Sequence, residues 1–301
     1  MDKIVKKILE LKEKKKALIL AHNYQIPRIQ DIADFVGDSL ELSKTSKKAS
    51  APLIVFCGVR FMAETAKILS SDKKVLLPAQ TAGCPLAETI SASDVINLRK
   101  AYPDAWVVSY VNTSAEVKAV SDVCCTSGNA VDVVKNVPTK DVIFVPDKNL
   151  GWWVQKNVPE KNVILWNGGC YVHEQFTLDD LHKAREKFPQ AEIMVHPECK
   201  KEILEESDFI ASTAGMLKRA KQTAAKTIII GTEEGLLHKL RKENPDKEFF
   251  SLGISRTCLN MKKTTLDELL VSLEKEIYEI RLDADIIVKA GVALERMVQY
   301  I

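Results

Sequence analysis

Cys84, Cys170 and Cys258 stand 86 and 88 residues apart, and thiols at such regular distances could hold a metal centre. Thiolates are soft ligands that suit zinc, copper(I) or iron–sulfur clusters. None of the three lies in a CxxC pair, which disfavours a zinc ribbon or finger. Ligands spread over some 170 residues suit a site assembled only after folding. A cluster held by three cysteines rather than the usual four leaves one iron open as a Lewis acid. That is dehydratase chemistry rather than electron transfer. Cys57, Cys124, Cys125 and Cys199 fall outside the spacing and are expected to pack as small hydrophobes.

Acid–base groups recur in the same rhythm. His22 and Tyr24, Tyr110 and Asn112, and His196 and Glu198 fall at the ends of three apolar runs. Residues two apart on an extended segment point the same way, so each pair is expected to face one centre. Tyr24, Tyr110, His196 and Glu198 are the candidate proton-transfer groups, Glu198 if burial raises its pKa. His173, three residues beyond Cys170, is expected to contact substrate, whereas His182 and His238 fall in helical patterns and read as surface residues. Ser39, Ser127 and Thr213 each precede an apolar helical pattern, where hydroxyls serve as N-caps. Helix N-termini also bind carboxylate or phosphate through free N–H groups. Neither a Walker A loop nor GxGxxG is present, so a nucleotide site lacks its usual signature.

The elements that must position these residues repeat with them. Helical patterns at 1–17, 92–104 and 178–190 precede apolar strands at 18–24, 107–113 and 192–198. Hydroxyl-bearing turns GDSLEL, CTSGNAV and ASTAGML then open further helices. Apolar runs LIVFCGVRFMAE, VIFVPDKNLGWW and TIIIGTEEGLLH follow, and a fourth short strand delivers each cysteine. Asp38, Thr126 and Ser212 keep the same period, and so do His22, Val111 and His196. Thr265–Leu269 after Cys258 mirrors Thr177–Leu181 after Cys170. A period of 20–50 residues marks solenoids, and this longer one marks whole duplicated units. The expected fold is α/β: three similar α/β/α units with short parallel sheets around a pseudo-threefold axis, the active site at its centre. The expected division is 1–83, 84–169 and 170–257, with a C-terminal helical segment at 264–301 packing near the first unit.

Composition narrows the classes. The 301 residues are 46% hydrophobic and 28% charged, which is enough apolar mass for a real core and excludes a disordered chain. A net charge of +2 exerts no general pull on nucleic acid or anionic lipid, so neither is an expected partner. No apolar run approaches 18 residues, and the Lys-rich first 17 lack a secretory signal's apolar stretch, so a cytoplasmic location is expected. Tandem Trp152 and Trp153 read as packing residues.

Longer motifs carry a resemblance. AHNYQ (21–25), IADFVGDSLEL (32–42), YVNTSAEVK (110–118), CTSGNAVDVV (125–134), HPEC (196–199), STAGM (212–216) and GTEEGLLHKL (231–240) resemble quinolinate synthase across residues 4–300. The resemblance implies condensation of iminoaspartate with dihydroxyacetone phosphate to quinolinate, releasing phosphate and water, in de novo NAD biosynthesis. It implies one [4Fe-4S] cluster per chain on Cys84, Cys170 and Cys258, with one open iron. Carried over by motif, His22, Ser39, Tyr110, Val111, Asn112, Ser127, His196, Pro197, Glu198 and Thr213 line the substrate pocket, with Tyr24 and Ser212 as neighbours. The implied partners are the two small substrates, with an L-aspartate oxidase or aspartate dehydrogenase upstream as the iminoaspartate source. SRTCLNM offers only Cys258 where some members carry a CxxCxxC-like run, so no redox-switch disulfide is expected beside the cluster. Residue chemistry alone leaves open an aconitase-like hydro-lyase on another hydroxy acid, or an iron–sulfur anion sensor without turnover.

Overall fold

The computed structural model describes residues 2–300, which trace one chain path three times and then add two helices. The first copy runs α1 (Lys3–Lys15), β1 (Ala17–His22), α2 (Pro27–Ile32), β2 (Phe35–Gly37), α3 (Ser39–Lys48), β3 (Leu53–Cys57), α4 (Arg60–Leu69) and β4 (Lys74–Leu76). The second runs α5 (Ala92–Ala101), β5 (Trp106–Tyr110), α6 (Ala115–Ala119), β6 (Val123–Cys125), α7 (Ala130–Asn136), β7 (Asp141–Val145), α8 (Lys148–Asn157) and β8 (Asn162–Leu165). The third runs α9 (Leu178–Lys187), β9 (Glu192–Val195), α10 (Lys201–Glu206), β10 (Phe209–Ile210), α11 (Thr213–Gln222), β11 (Thr227–Gly231), α12 (Leu236–Glu243) and β12 (Glu248–Ser251). Helices α13 (Leu266–Lys275) and α14 (Ala284–Gln299) follow.

Each copy folds into a four-stranded parallel sheet with the same strand order, β2-β1-β3-β4, β6-β5-β7-β8 and β10-β9-β11-β12. Parallel neighbours need crossover connections, which the alternating helices supply. Both faces of every sheet are covered, and the pleat decides which residue goes where. Ile19 and Val55 point outward to a cluster with α1 and α13, while Leu20, Ile54 and Phe56 point inward. Ile143 and Ile229 likewise point outward, and Val142, Phe144, Ile228 and Ile230 point inward. The inward rows of all three sheets meet in one shared core. Each fully buried Ile or Leu there contributes about 1.5–3 kcal/mol.

Polar details repeat with the sheets. Asp34, Asp122 and Asp208 each accept the backbone N–H of the opening strand, at Ile19, Val107 and Ile193, all at 2.8 Å. Lys161 donates to the Val137 and Thr139 carbonyls, and Lys247 to those of Ala220 and Thr223, each at 2.6–2.7 Å. Lys73 does the same for Ser46 and Ala49. These ties answer the unsatisfied carbonyls at helix ends.

Some boundaries differ from expectation. The sequence reading begins the first helix at Met1, which lies outside the described residues; α1 begins at Lys3, capped by Asp2. Strands β1, β5 and β9 stop at His22, Tyr110 and Val195, short of the expected 24, 113 and 198. Tyr24, Asn112, His196 and Glu198 therefore stand on turns just past the strands. The second strands β2, β6 and β10, two or three residues each, escape the sequence because so few residues show no period. The expected helical tail is two helices. Thr265–Glu268 forms a capping box at the start of α13, as Ser91–Asp94 does for α5 and Thr177–Asp180 for α9. Helix α13 packs beside α1, whereas α14 packs on α4, α6 and β6. Trp152 and Trp153, on α8, pack against the third sheet's outer cluster. Among the described residues no helix is long and apolar enough to cross a membrane.

Candidate active site

In an open parallel sheet the crevice lies where connections leave in opposite directions, at the carboxyl ends of the central strands. Here that is the end of β1, β5 and β9, and the three turns converge on one cavity. The first copy brings His22, Tyr24 and Ser39; the second Tyr110, Asn112 and Ser127; the third His196, Glu198 and Thr213. Cys84, Cys170, Cys258 and His173 complete the wall. Three expected pocket residues stand behind it. Val111 donates its N–H to the Cys125 carbonyl at 2.9 Å, Pro197 is buried in the turn between His196 and Glu198, and Ser212 caps α11.

The hydroxyl turns correct one expectation. Ser39 and Thr213 are not caps: the caps are Asp38, in a box with Glu41, and Ser212, which accepts from Gly215. Ser39 and Thr213 are instead the first residues of α3 and α11, which leaves their hydroxyls free for the cavity; Thr213 also accepts from Asn23 Nδ2 at 2.9 Å. Ser127 precedes Asn129, whose carboxamide oxygen is engaged by Thr126 N–H at 2.6 Å rather than by the helix.

Glu198 is the hub of the acid–base groups. Its Oε2 lies 2.8 Å from His173 Nδ1, at an oblique angle to the ring N–H, and its Oε1 accepts from Asn112 Nδ2 at 3.4 Å. The Tyr110 hydroxyl also reaches the carboxylate. Burial acts to raise the Glu198 carboxyl, but His173 first, and then the Tyr110 hydroxyl, outweigh it and hold it below the usual carboxylate range. Glu198 is thus ionised: burial does not raise its pKa, the condition set on its proton-transfer role. Its charge in turn adds to burial in pushing Tyr24 and Tyr110 well above the ordinary phenol range.

Two histidines share one local geometry. His22 Nδ1 accepts the N–H of Tyr24 at 3.1 Å, and His196 Nδ1 accepts the N–H of Glu198 at 3.3 Å. Burial lowers both imidazoles to about 3, so both are neutral and carry their proton on Nε2. His196 Nε2 lies 3.2 Å from Ser127 Oγ, which accepts that proton's hydrogen bond. The 3.4 Å approach of His196 Nδ1 to Glu198 Oε2 is then a contact of two acceptors, not an ion pair.

The cysteines sit alike. Each lies five to eight residues beyond its fourth strand and opens a short 3₁₀ turn, at Ala87–Thr89, His173–Gln175 and Met261–Lys263. The turn closes on the cysteine carbonyl, from Glu88, Glu174 and Lys262 N–H at 2.9–3.2 Å. Backbone N–H groups three residues on, at Ala87, His173 and Met261, also reach each sulfur. Burial pushes Cys84 up to about 12 and raises Cys170 and Cys258, so without a metal all three are protonated. Three sulfurs facing one cavity, each with amide donors, form a donor set that suits an iron–sulfur cluster. Cys170, His173 and Glu198 form a second metal-competent group, their ligand atoms all within 4.8 Å of one another. It shares Cys170 with the trio and two of its members already pair with each other.

The sequence reading missed two acidic residues, Asp147 behind this wall and Glu233 on it. Asp147 is fully buried, caps α8 through Asn149 and Leu150 N–H at 2.9 and 2.8 Å, and is pushed up by burial and by Glu198. Glu233 accepts from Lys262 at 2.8 Å and from Cys258 N–H at 3.0 Å, tying the third cysteine loop down. Both follow a third strand by two positions, a period that was available in the sequence. Among the described residues no Lys or Arg lines the cavity.

Fold and site together define a triplicated parallel α/β protein whose three copies share one polar cavity walled by three turn-held cysteines. The family model described as "Quinolinate synthetase A protein" matches residues 6–299, and the chain belongs to that family. Curated relatives agree over nearly full length. A quinolinate synthase of Thermodesulfovibrio yellowstonii is 51% identical over 100% of this chain and 99% of its own. One of Caldicellulosiruptor saccharolyticus is 50% identical over 99% of each, and one of Aquifex aeolicus 47% identical over 99% of this chain and 94% of its own.

Proposed function

We propose that this chain condenses iminoaspartate with dihydroxyacetone phosphate to quinolinate, releasing phosphate and water, as a step of NAD biosynthesis. The observation that carries the reading is the meeting of three amide-held cysteines with Glu198, His196, Tyr24 and Tyr110 at one cavity. Cys84, Cys170 and Cys258 would hold a [4Fe-4S] cluster, whose fourth iron supplies Lewis acidity toward a substrate oxygen.

The protein's own groups supply the rest. Ser39 and Thr213, the first residues of α3 and α11, present hydroxyls on the cavity wall that can donate to the carboxylates and phosphate of the two substrates. Glu198, ionised and paired to His173, is the base available to take a proton from carbon or nitrogen. His196, neutral with its Nε2 proton directed at Ser127, is the donor for a departing oxygen. Tyr110 and Asn112 hold the Glu198 carboxylate in place. The three strand ends together line the cavity that would take the reactants.

Anaerobically purified protein should carry about four irons per chain. Supplied with iminoaspartate and dihydroxyacetone phosphate, it should produce the quinolinate absorbance. Full iron content with no quinolinate from this pair would overturn the reading in favour of another hydro-lyase or a sensor.

A further inference from the structure

Thr232 lies one residue beyond β11, is 1% exposed and does not line the cavity. Its Oγ1 nevertheless meets two residues that do: the Tyr24 hydroxyl at 2.6 Å and His173 Nε2 at 2.8 Å. On the far side of the ring, His173 Nδ1 faces Glu198 Oε2 at 2.8 Å. One line of polar atoms thus runs from Tyr24 in the first copy through Thr232 and His173 to Glu198 in the third. The corresponding positions after β3 and β7 are Gly58 and Pro146, which have no hydroxyl, so only the third copy can make this link.

The proton order along the line follows from counting donors. An ionised carboxylate only accepts, so a neutral His173 imidazole keeps its proton on Nδ1, facing Glu198, and leaves Nε2 as an acceptor. Thr232 has one hydroxyl proton and gives it to Nε2. It must then accept from Tyr24, whose phenolic proton points away from the cavity and whose oxygen lone pairs are turned toward it. We propose that Thr232 is a positioning residue for the reaction. Its single hydroxyl fixes the His173 tautomer and turns Tyr24 into a hydrogen-bond acceptor for a substrate N–H or O–H. The assignment of a reaction rests on the proposed function; the proton order does not.

Two experiments separate them. In purified protein labelled with ¹⁵N-histidine at neutral pH, His173 should show a protonated Nδ1 and a bare Nε2, its signals assigned by their loss in His173→Gln. Thr232→Val should shift the Nε2 resonance and leave those of His182 and His238 unmoved. A protonated Nε2 in the unmodified protein overturns the order whatever turnover shows. In the turnover assay, Thr232→Val should keep its iron and lower kcat about 10- to 100-fold, the size expected for one buried hydrogen bond in a catalytic line. Thr232→Ser, which keeps the hydroxyl, should recover most of that loss. Combined with Tyr24→Phe, Thr232→Val should cost less than the product of the two single losses, because the residues act on each other. Equal losses in the Ser and Val variants, or losses that multiply, overturn the positioning role. An unmodified protein that makes no quinolinate overturns the reaction and leaves the NMR result to decide the proton order.

Discussion

Burial raises both the Cys124 and the Cys84 thiol to about 12, yet they belong to two different regions. Cys124 sits inside β6 and Cys57 inside β3, fully buried among aliphatic side chains in strand ladders. Cys125 shares that setting, and Cys199 is likewise buried, its Sγ 3.5 Å from the Gly231 carbonyl. Cys84, Cys170 and Cys258 are only partly buried, stand on loops past the fourth strands, and face one another's copies across the cavity. Acidity therefore does not tell the two sets apart. What separates them is a place on loops past the fourth strands, each opening a 3₁₀ turn, and the convergence of three such turns on one cavity.

Substitutions test the difference between the two sets of cysteines. The largest effect is expected for Cys84→Ser, Cys170→Ser or Cys258→Ser, each of which should lose bound iron and all turnover, read by iron content and absorption under anaerobic conditions. Iron retained in full by any of the three would end the distinction. Next, His196→Ala and Glu198→Gln should keep their iron while kcat falls about 10²- to 10⁴-fold, as for loss of a general acid or base. Cys57→Ser and Cys124→Ser should also keep full iron and activity, but lose about 1–3 kcal/mol of stability for burying an unpartnered hydroxyl, measured by denaturant titration. Ser39→Ala and Thr213→Ala should raise KM about tenfold and move kcat little, one hydrogen bond to substrate being lost.

The smallest change near neutrality is set by the histidines. His22 and His196 are lowered by burial from 6.5 to about 3, so between those values the unfolded chain binds protons that the folded chain refuses. Stability is therefore full above 6.5 and falls as pH drops toward 3, gently at first. Glu198 acts in the same direction, since its lowered carboxyl loses its stabilising pairing as acid protonates it. A denaturant midpoint that holds constant from pH 7 to pH 4 would contradict the burial of these rings.

Much of this was legible because the chain repeats itself. The spacing of Cys84, Cys170 and Cys258 made the ligand candidates, and the paired residues at three strand ends made the acid–base candidates. Helix–strand alternation was enough for parallel sheets, since period-2 and period-3.6 patterns are local properties. Less legible were features that depend on one residue's displacement. Whether Ser39 or Asp38 caps α3 turns on a single backbone conformation, and both residue types suit the position. The end of β9 at Val195 rather than Glu198 likewise reflects a turn that hydrogen-bonds His196 Nδ1, which apolar patterning does not report.

The amino-acid sequence alone thus determined the triplication, the longer secondary elements and which three cysteines share its period, because each is written in short-range pattern or in its recurrence. Only the tertiary structure decided protonation and partnership. Glu198 is ionised because His173 arrives from a loop 25 residues upstream, and the Tyr24 hydroxyl meets that of Thr232, 208 residues away. Such pairings join different copies across the shared core, and charge and proton position follow from distance in space rather than from distance along the chain.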